Sequence, residues 1–225
     1  MRSMPLQNPR RIGAVAPRIA CSASLLALSC LALTGCQAMA IPWLMWGQEP
    51  TKPVPAEYPY LSDKKLVITV WADMDARFEY PYVQLEIAEH VRAELESHVK
   101  GLTVVPGRQV FDAQQADADW ERAHPSTFGK RFGADRVMMI EVARYSIREP
   151  ESPHLYRGRI SAAVKIYDAA DPNAGPSYKT TIDVSYPPDS VGRYGVEERT
   201  IRSETYRAFA TELANRFYDR KVKVR

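Results

Sequence analysis

The chain of 225 residues is 45% hydrophobic and 25% charged, with 11 glycines and 17 prolines, which excludes a protein that is disordered or of low complexity overall. Three cysteines cannot build a disulfide framework, and no apolar run reaches the ~18 residues that a transmembrane helix requires, which argues against an integral helical membrane protein. The charge of +3 reflects 30 Lys and Arg against 27 Asp and Glu; without Arg2, Arg10, Arg11 and Arg18 of the acid-free residues 1–35, the balance is 26 against 27, or −1, too little positive charge for nucleic acid.

Those four arginines precede the apolar stretch 19–33 (IACSASLLALSCLAL), and small residues follow, the order of a secretory signal peptide. The stretch ends in Leu33-Thr34-Gly35-Cys36, which resembles the lipobox of bacterial lipoproteins. The resemblance implies cleavage before Cys36 and diacylglycerol on its thiol, with residues 1–35 removed. Cys21 and Cys30 leave with that segment, so no thiol remains for a disulfide, a zinc cluster or nucleophilic attack. Gln37 after the cysteine resembles the pattern sorted to the outer membrane, so the expected location is the cell envelope, on the outer membrane and facing the periplasm.

Residues 36–60 read as the lipidated start and a tether. Pro42, Pro50, Pro53, Pro55 and Pro59 favour extended chain, with a reach on the order of 70 Å. Ile41, Trp43, Leu44, Met45 and Trp46 fit two placements, the headgroup zone of a bilayer or a cap on the domain core.

Residues 61–225 read as one domain. Leu66–Trp71 is a continuous β-branched apolar run, a central strand buried on both faces. Pro81 opens a helix over 82–99 with Val83, Ile87, Val91, Leu95 and Val99 on one side, Gly101 ends it, and Leu102–Val105 is a second, parallel strand. The Ala- and acid-rich 112–123 predicts a helix, 127–132 a short one, and Val137–Ile140 a third strand. Alternation at 160–166 and 178–186 about the turn at 171–176 predicts an antiparallel hairpin, and Ile201, Thr205, Phe209, Leu213 and Phe217 a last helix over 197–219. The fold class is mixed α/β, a five-stranded sheet ordered 2-1-3-4-5 with helices packed against it.

This order after a lipobox, with Phe128-Gly129-Lys130-Arg131-Phe132-Gly133-Ala134-Asp135-Arg136-Val137 as a "helix, Gly-Ala-Asp, strand" passage, resembles the small periplasmic α/β domain of the TolB N-terminal region, the penicillin-binding-protein activator LpoB and the curli secretion lipoprotein CsgG. The resemblance implies a non-catalytic envelope module that binds or assembles other proteins. Gly133 fits the positive φ of a helix C-terminus.

No Gly-x-Ser-x-Gly elbow, P-loop or dinucleotide fingerprint occurs, so no catalytic residue and no cofactor is assigned. Glu86, His90, Glu94 and His98 stand at i, i+4 spacing, but each step overshoots a turn by about 40°, so all four cannot meet one ion; they read as a solvated helix flank. Asp73-Met74-Asp75 beyond the first strand reads as turn and capping chemistry, and no metal site is assigned. Arg77, Phe78, Tyr80 and Tyr82 in the 73–82 loop are the candidate partner-binding residues, since aromatics beside charges suit interfaces, with a loop covering the sheet edge as the alternative. The 187–198 loop and the cations Arg216, Arg220, Lys221, Lys223 and Arg225 fit either contact surfaces or, respectively, mobility and complement to the last helix end. The expected role is a lipid-anchored scaffold that binds an unidentified envelope protein. Two alternatives stay open, an oligomeric auxiliary subunit of envelope transport or secretion and a metal-dependent hydrolase.

Overall fold

Residues 52–54 are extended and 55–60 irregular, and both are built into the domain rather than free of it. The computed structural model describes residues 51–150, 152–188 and 193–223; the signal segment, Cys36, the apolar patch at 41–46, residues 189–192 and Arg225 lie outside the described residues. The chain divides into two units, Met1–Thr51 with Lys223–Arg225, and Lys52–Val222; of the first, Thr51 and Lys223 are described. Strand β1 (Thr51–Val54) pairs with residues 220–223 in a two-stranded ribbon. The amides of Glu57 and Tyr58 donate to the Arg216 carbonyl at 2.8 and 3.0 Å, and Tyr58 and Leu61 are buried.

The Glu57 carboxylate accepts from the Tyr178 hydroxyl at 2.7 Å and pairs with Arg216. The tyrosine hydrogen bond first, and then the guanidinium, hold its carboxyl below the usual range, while burial and that same bond push the Tyr178 phenol up to about 12. A carboxyl lowered in the folded state contributes stability that is complete above its unfolded pKa and disappears as pH falls through the folded one. Thermal melts of Glu57→Gln across pH 7 to 3 are therefore expected to lose less stability on acidification than the parent. Parallel curves would show that the pair contributes nothing.

Strand β2 (Lys65–Ala72) is buried on both faces, as its unbroken apolar run requires: Leu66, Ile68, Val70 and Ala72 enter one core, Val67 the other. Helix α1 (Met74–Glu79) and helix α2 (Val83–His98) follow, then β3 (Thr103–Val104), parallel to β2. Helices α3 (Gly107–Ala116) and α4 (Ser126–Phe132) lead to β4 (Arg136–Glu149), also parallel to β2, with Leu66 opposite Arg136 and Ala72 opposite Val142. Antiparallel β5 (Ser152–Asp168) and β6 (Tyr178–Tyr186) complete the order β3-β2-β4-β5-β6, the mixed five-stranded sheet expected from the sequence. Helix α5 (Glu198–Ala214) and strand β7 (Arg220–Lys223) close the chain.

One sheet face is covered by α2 and α5, which bury Ile87, Val91, Leu95, Tyr206, Phe209 and Leu213. The other is covered over β2 by α3 and α4 through Val110, Ala113 and Phe128, with Trp120 beside them. Across β5 and β6 that second face lies open, and Lys165 there bridges to Glu141 of β4 at 2.7 Å. Gly133 takes φ 57° and ψ 43° at the end of α4, the left-handed turn expected of it.

Several elements depart from expectation. α1 is a helix where the sequence reads as loop, and α2 starts at Val83, after Pro81. α3 spans 107–116 instead of 112–123, because Val110, Phe111, Ala113 and Gln114 are what the sheet buries, while 117–123 turns back to bury Trp120. α5 stops at Ala214, and the cationic tail turns into β7: Arg216 pairs with Glu57 and Glu212, and Arg220 donates to the Asn215 carbonyl. The flank of α2 meets α5 through three of its four members: Glu86 pairs with Arg202 at 3.4 Å, His90 lies 5.5 Å from the Tyr206 ring and Glu94 accepts from Thr211 at 3.2 Å, while the exposed His98 stacks at 4.5 Å on Tyr218, beyond the end of α5.

Candidate functional site

The segment after β2 is shaped by one cap and one anchor. Asp73 Oδ1 accepts from the Ala76 amide at 2.7 Å, satisfying one of the donors that a helix start leaves over, and Ala76 is buried. With Ala76 turned inward, the i, i+4 pair Met74 and Phe78 faces out, 75% and 89% exposed. Tyr82, at the N-cap of α2, is 57% exposed, its ring 6.2 Å from Phe111. These three exposed side chains, the knob, all stand on the segment that joins the end of β2 opposite Lys65 to the start of α2.

The four residues singled out from the sequence separate into three roles. Phe78 and Tyr82 are on the surface. Arg77 is half-buried, its Nη1 3.2 Å from Glu121 Oε1, so it ties α1 to the turn after α3. Tyr80 is 5% exposed and faces the core: its ring meets Tyr145 edge-on at 5.2 Å, the Arg202 guanidinium lies 5.5 Å over it, and its hydroxyl donates to Glu79 at 3.1 Å. Burial, then the carboxylates of Glu198 and Glu79, push that phenol up and keep it protonated. Behind it the Tyr145 and Tyr206 hydroxyls share a 2.7 Å hydrogen bond, and burial raises both. Arg148 joins this end to α5 through Glu198 at 3.1 Å. The knob therefore stands on a packed aromatic and ionic base.

Met74 was not singled out from the sequence, although the signal was there: an Asp cap followed by apolar residues four apart. Asp73 is occupied as a cap and Asp75 is exposed. Among the described residues no three His, Cys, Asp or Glu side chains assemble into a metal-holding group. His124 lies 2.9 Å from the Ser126 hydroxyl at the start of α4, and His154 is exposed. Among the described residues no helix is long and apolar enough to cross a membrane.

No protein-family model matches the chain, including any for the group that residues 128–137 resemble, and no curated protein matches its sequence. Solved structures give distant similarities. A PelC dodecamer from Paraburkholderia phytofirmans is 9% identical, over 75% of this chain and 98% of that one, with a TM-score of 0.45. Lipoprotein GNA1162 from Neisseria meningitidis is 17% identical over 67% and 97%, with a TM-score of 0.42. The hypothetical protein CT253 from Chlamydia trachomatis is 15% identical over 67% and 95%, with a TM-score of 0.38.

Proposed function

We propose that this protein is a non-catalytic, lipid-anchored component of the bacterial cell envelope that binds a protein partner through the knob of Met74, Phe78 and Tyr82. Its anchor is Cys36 of the Leu-Thr-Gly-Cys sequence, and Gln37 favours the outer membrane. The observation that carries the reading is Phe78, a large apolar side chain 89% exposed on a helix fixed by its cap and by Ala76. Aromatic side chains on rigid supports are what interfaces use as anchors, since little conformational freedom is lost on binding. The acids and imidazoles that first suggested metal chemistry have structural partners: Asp73 caps α1, Glu86, His90 and Glu94 join α2 to α5, and His98 stacks on Tyr218.

A photocrosslinking amino acid at position 78, introduced into the full chain in intact cells, tests this. The expected result is one discrete adduct, absent when the probe replaces Asn173, which is exposed in the turn between β5 and β6. With the probe at position 75, Phe78→Ser and Tyr82→Ser are expected to remove the adduct while changing stability by no more than about 0.5 kcal/mol, as for exposed residues. Equal adducts at 78 and 173, or none at 78, would refute the reading.

A further inference from the structure

The sheet has two edges, and the chain treats them differently. At β3 the Val104 amide donates to Glu96 Oε1 at 3.0 Å, so a side chain of α2 already occupies that edge. β6 forms the other edge: it pairs with β5 over its whole length, and among the described residues no strand lies outside it. Beside it runs a groove of about 560 Å³, bordered by residues 181–186 of β6, by Ala208 and Glu212 of α5 and by Arg216 just after it. Nine residues of unpaired edge are a template for another strand unless something repels it.

The charges on this edge select a particular strand. Lys179, Thr181 and Asp183 alternate along the open face, all three exposed, and neither charged residue has an ion-pair partner among the described residues. Opposite charges stand two residues either side of Thr181. When β6 runs antiparallel to a second copy with Thr181 opposite Thr181, Lys179 meets the partner's Asp183 and Asp183 meets the partner's Lys179. Directly opposed residues in antiparallel strands are close enough for such pairs to attract, and like charges there repel. An edge defended against its own copies would carry a single sign; this one is self-complementary in one register.

We propose that the protein forms a two-fold dimer by antiparallel pairing of β6 with β6 of a second copy, centred on Thr181, so that one ten-stranded sheet crosses both protomers. Pairing about a two-fold axis is closed, because each β6 edge is consumed by the other and Glu96 blocks growth at β3. The proposal is independent of the partner surface on α1.

The test uses the full chain in its native membrane with Thr181→Cys and a short bismaleimide, the unmodified chain serving as blank. The expected product has twice the chain's mass. Adding Asp183→Lys or Lys179→Asp sets like charges opposite one another twice, and the yield is expected to fall about tenfold. The double exchange Lys179→Asp with Asp183→Lys restores complementarity and is expected to restore the yield. Sedimentation of the detergent-solubilised chain carrying the charge changes alone reads the same loss and recovery without the added thiol. No dimer from Thr181→Cys, a yield indifferent to the single exchanges, no recovery in the double exchange, or an adduct with a different protein would each overturn the proposal.

Discussion

Replacing Cys36 with alanine is expected to move the protein from the membrane fraction to the soluble fraction essentially completely. Each buried acyl methylene contributes about 0.8 kcal/mol, and one fatty chain alone holds a protein only marginally, so firm attachment needs the several chains that a single acylated cysteine carries. The other attachments are weaker: the 19–33 stretch is shorter than the ~18 residues of a spanning helix, the 41–46 patch carries no acyl chain, and a net charge of +3 with residues 1–35 or −1 without them gives little general attraction to anionic lipid. Cell fractionation with immunodetection reads the shift, and the intact mass of the parent should correspond to a chain starting at Cys36 plus acyl groups. A Cys36→Ala variant that stays with the membrane, or a parent mass that begins at Met1 without acyl additions, would remove the anchor and with it the envelope placement. The partner surface would then have to be judged on Phe78 alone.

What could be read in advance follows from where the information lies along the chain. The position of β2 was legible because burial on both faces leaves a local trace, an uninterrupted run from Leu66 to Trp71. β6 was legible because one covered face leaves strict alternation, and its range matches residue for residue. The extra lengths of β4 and β5 left no such trace: Arg144, Arg148, Arg157 and Arg159 interrupt the apolar pattern, and the strands are tied there by ion pairs such as Arg157 with Glu149 at 3.6 Å. α1 escaped for the opposite reason. Helix periodicity is recognised by an apolar stripe that faces a core, and here the apolar pair Met74 and Phe78 faces outward while a lone alanine faces in. Tyr80 was grouped with the surface residues because the groups that bury it, Tyr145 and Arg202, come from distant parts of the sequence. The tether shortened for the same reason, since Tyr58 is held by Arg216 at the other end of the chain.

The second large effect is expected at Gly158, in the middle of β5. A Cβ at that position would stand 1.7 Å from Thr205 Oγ1, 2.7 Å from its Cβ and 2.8 Å from its Cγ2. All three side-chain atoms of Thr205 are in the way, so rotating the threonine exchanges one clash for another. Thr205 is fully buried, and its hydroxyl already donates to the Ile201 carbonyl at 2.6 Å. Relief therefore requires α5 to rise from the sheet, and Tyr206, Phe209 and Leu213 on the same helix are buried against it. Overpacking of this kind costs about 1–3 kcal/mol and at times more, and Gly158→Ala should lie at the upper end. At roughly 2–4 °C per kcal/mol for a domain of this size, the melting temperature is expected to fall by about 6–12 °C. Thr205→Ala removes two of the three obstructing atoms, so the double variant should recover most of the loss, with a coupling of at least about 1 kcal/mol. Gly175→Ala is the control, since a Cβ there meets nothing within 4 Å. A Gly158→Ala melting temperature within about 2 °C of the parent would mean that α5 is not seated as closely as this. The consequence reaches the partner surface. Arg202, over the Tyr80 ring, and Glu198, bound to Arg148, both belong to α5, so a raised helix withdraws the base on which α1 stands. Gly158→Ala is accordingly expected to weaken the crosslink from position 78 without touching any residue of the knob, and Thr205→Ala to restore both properties together.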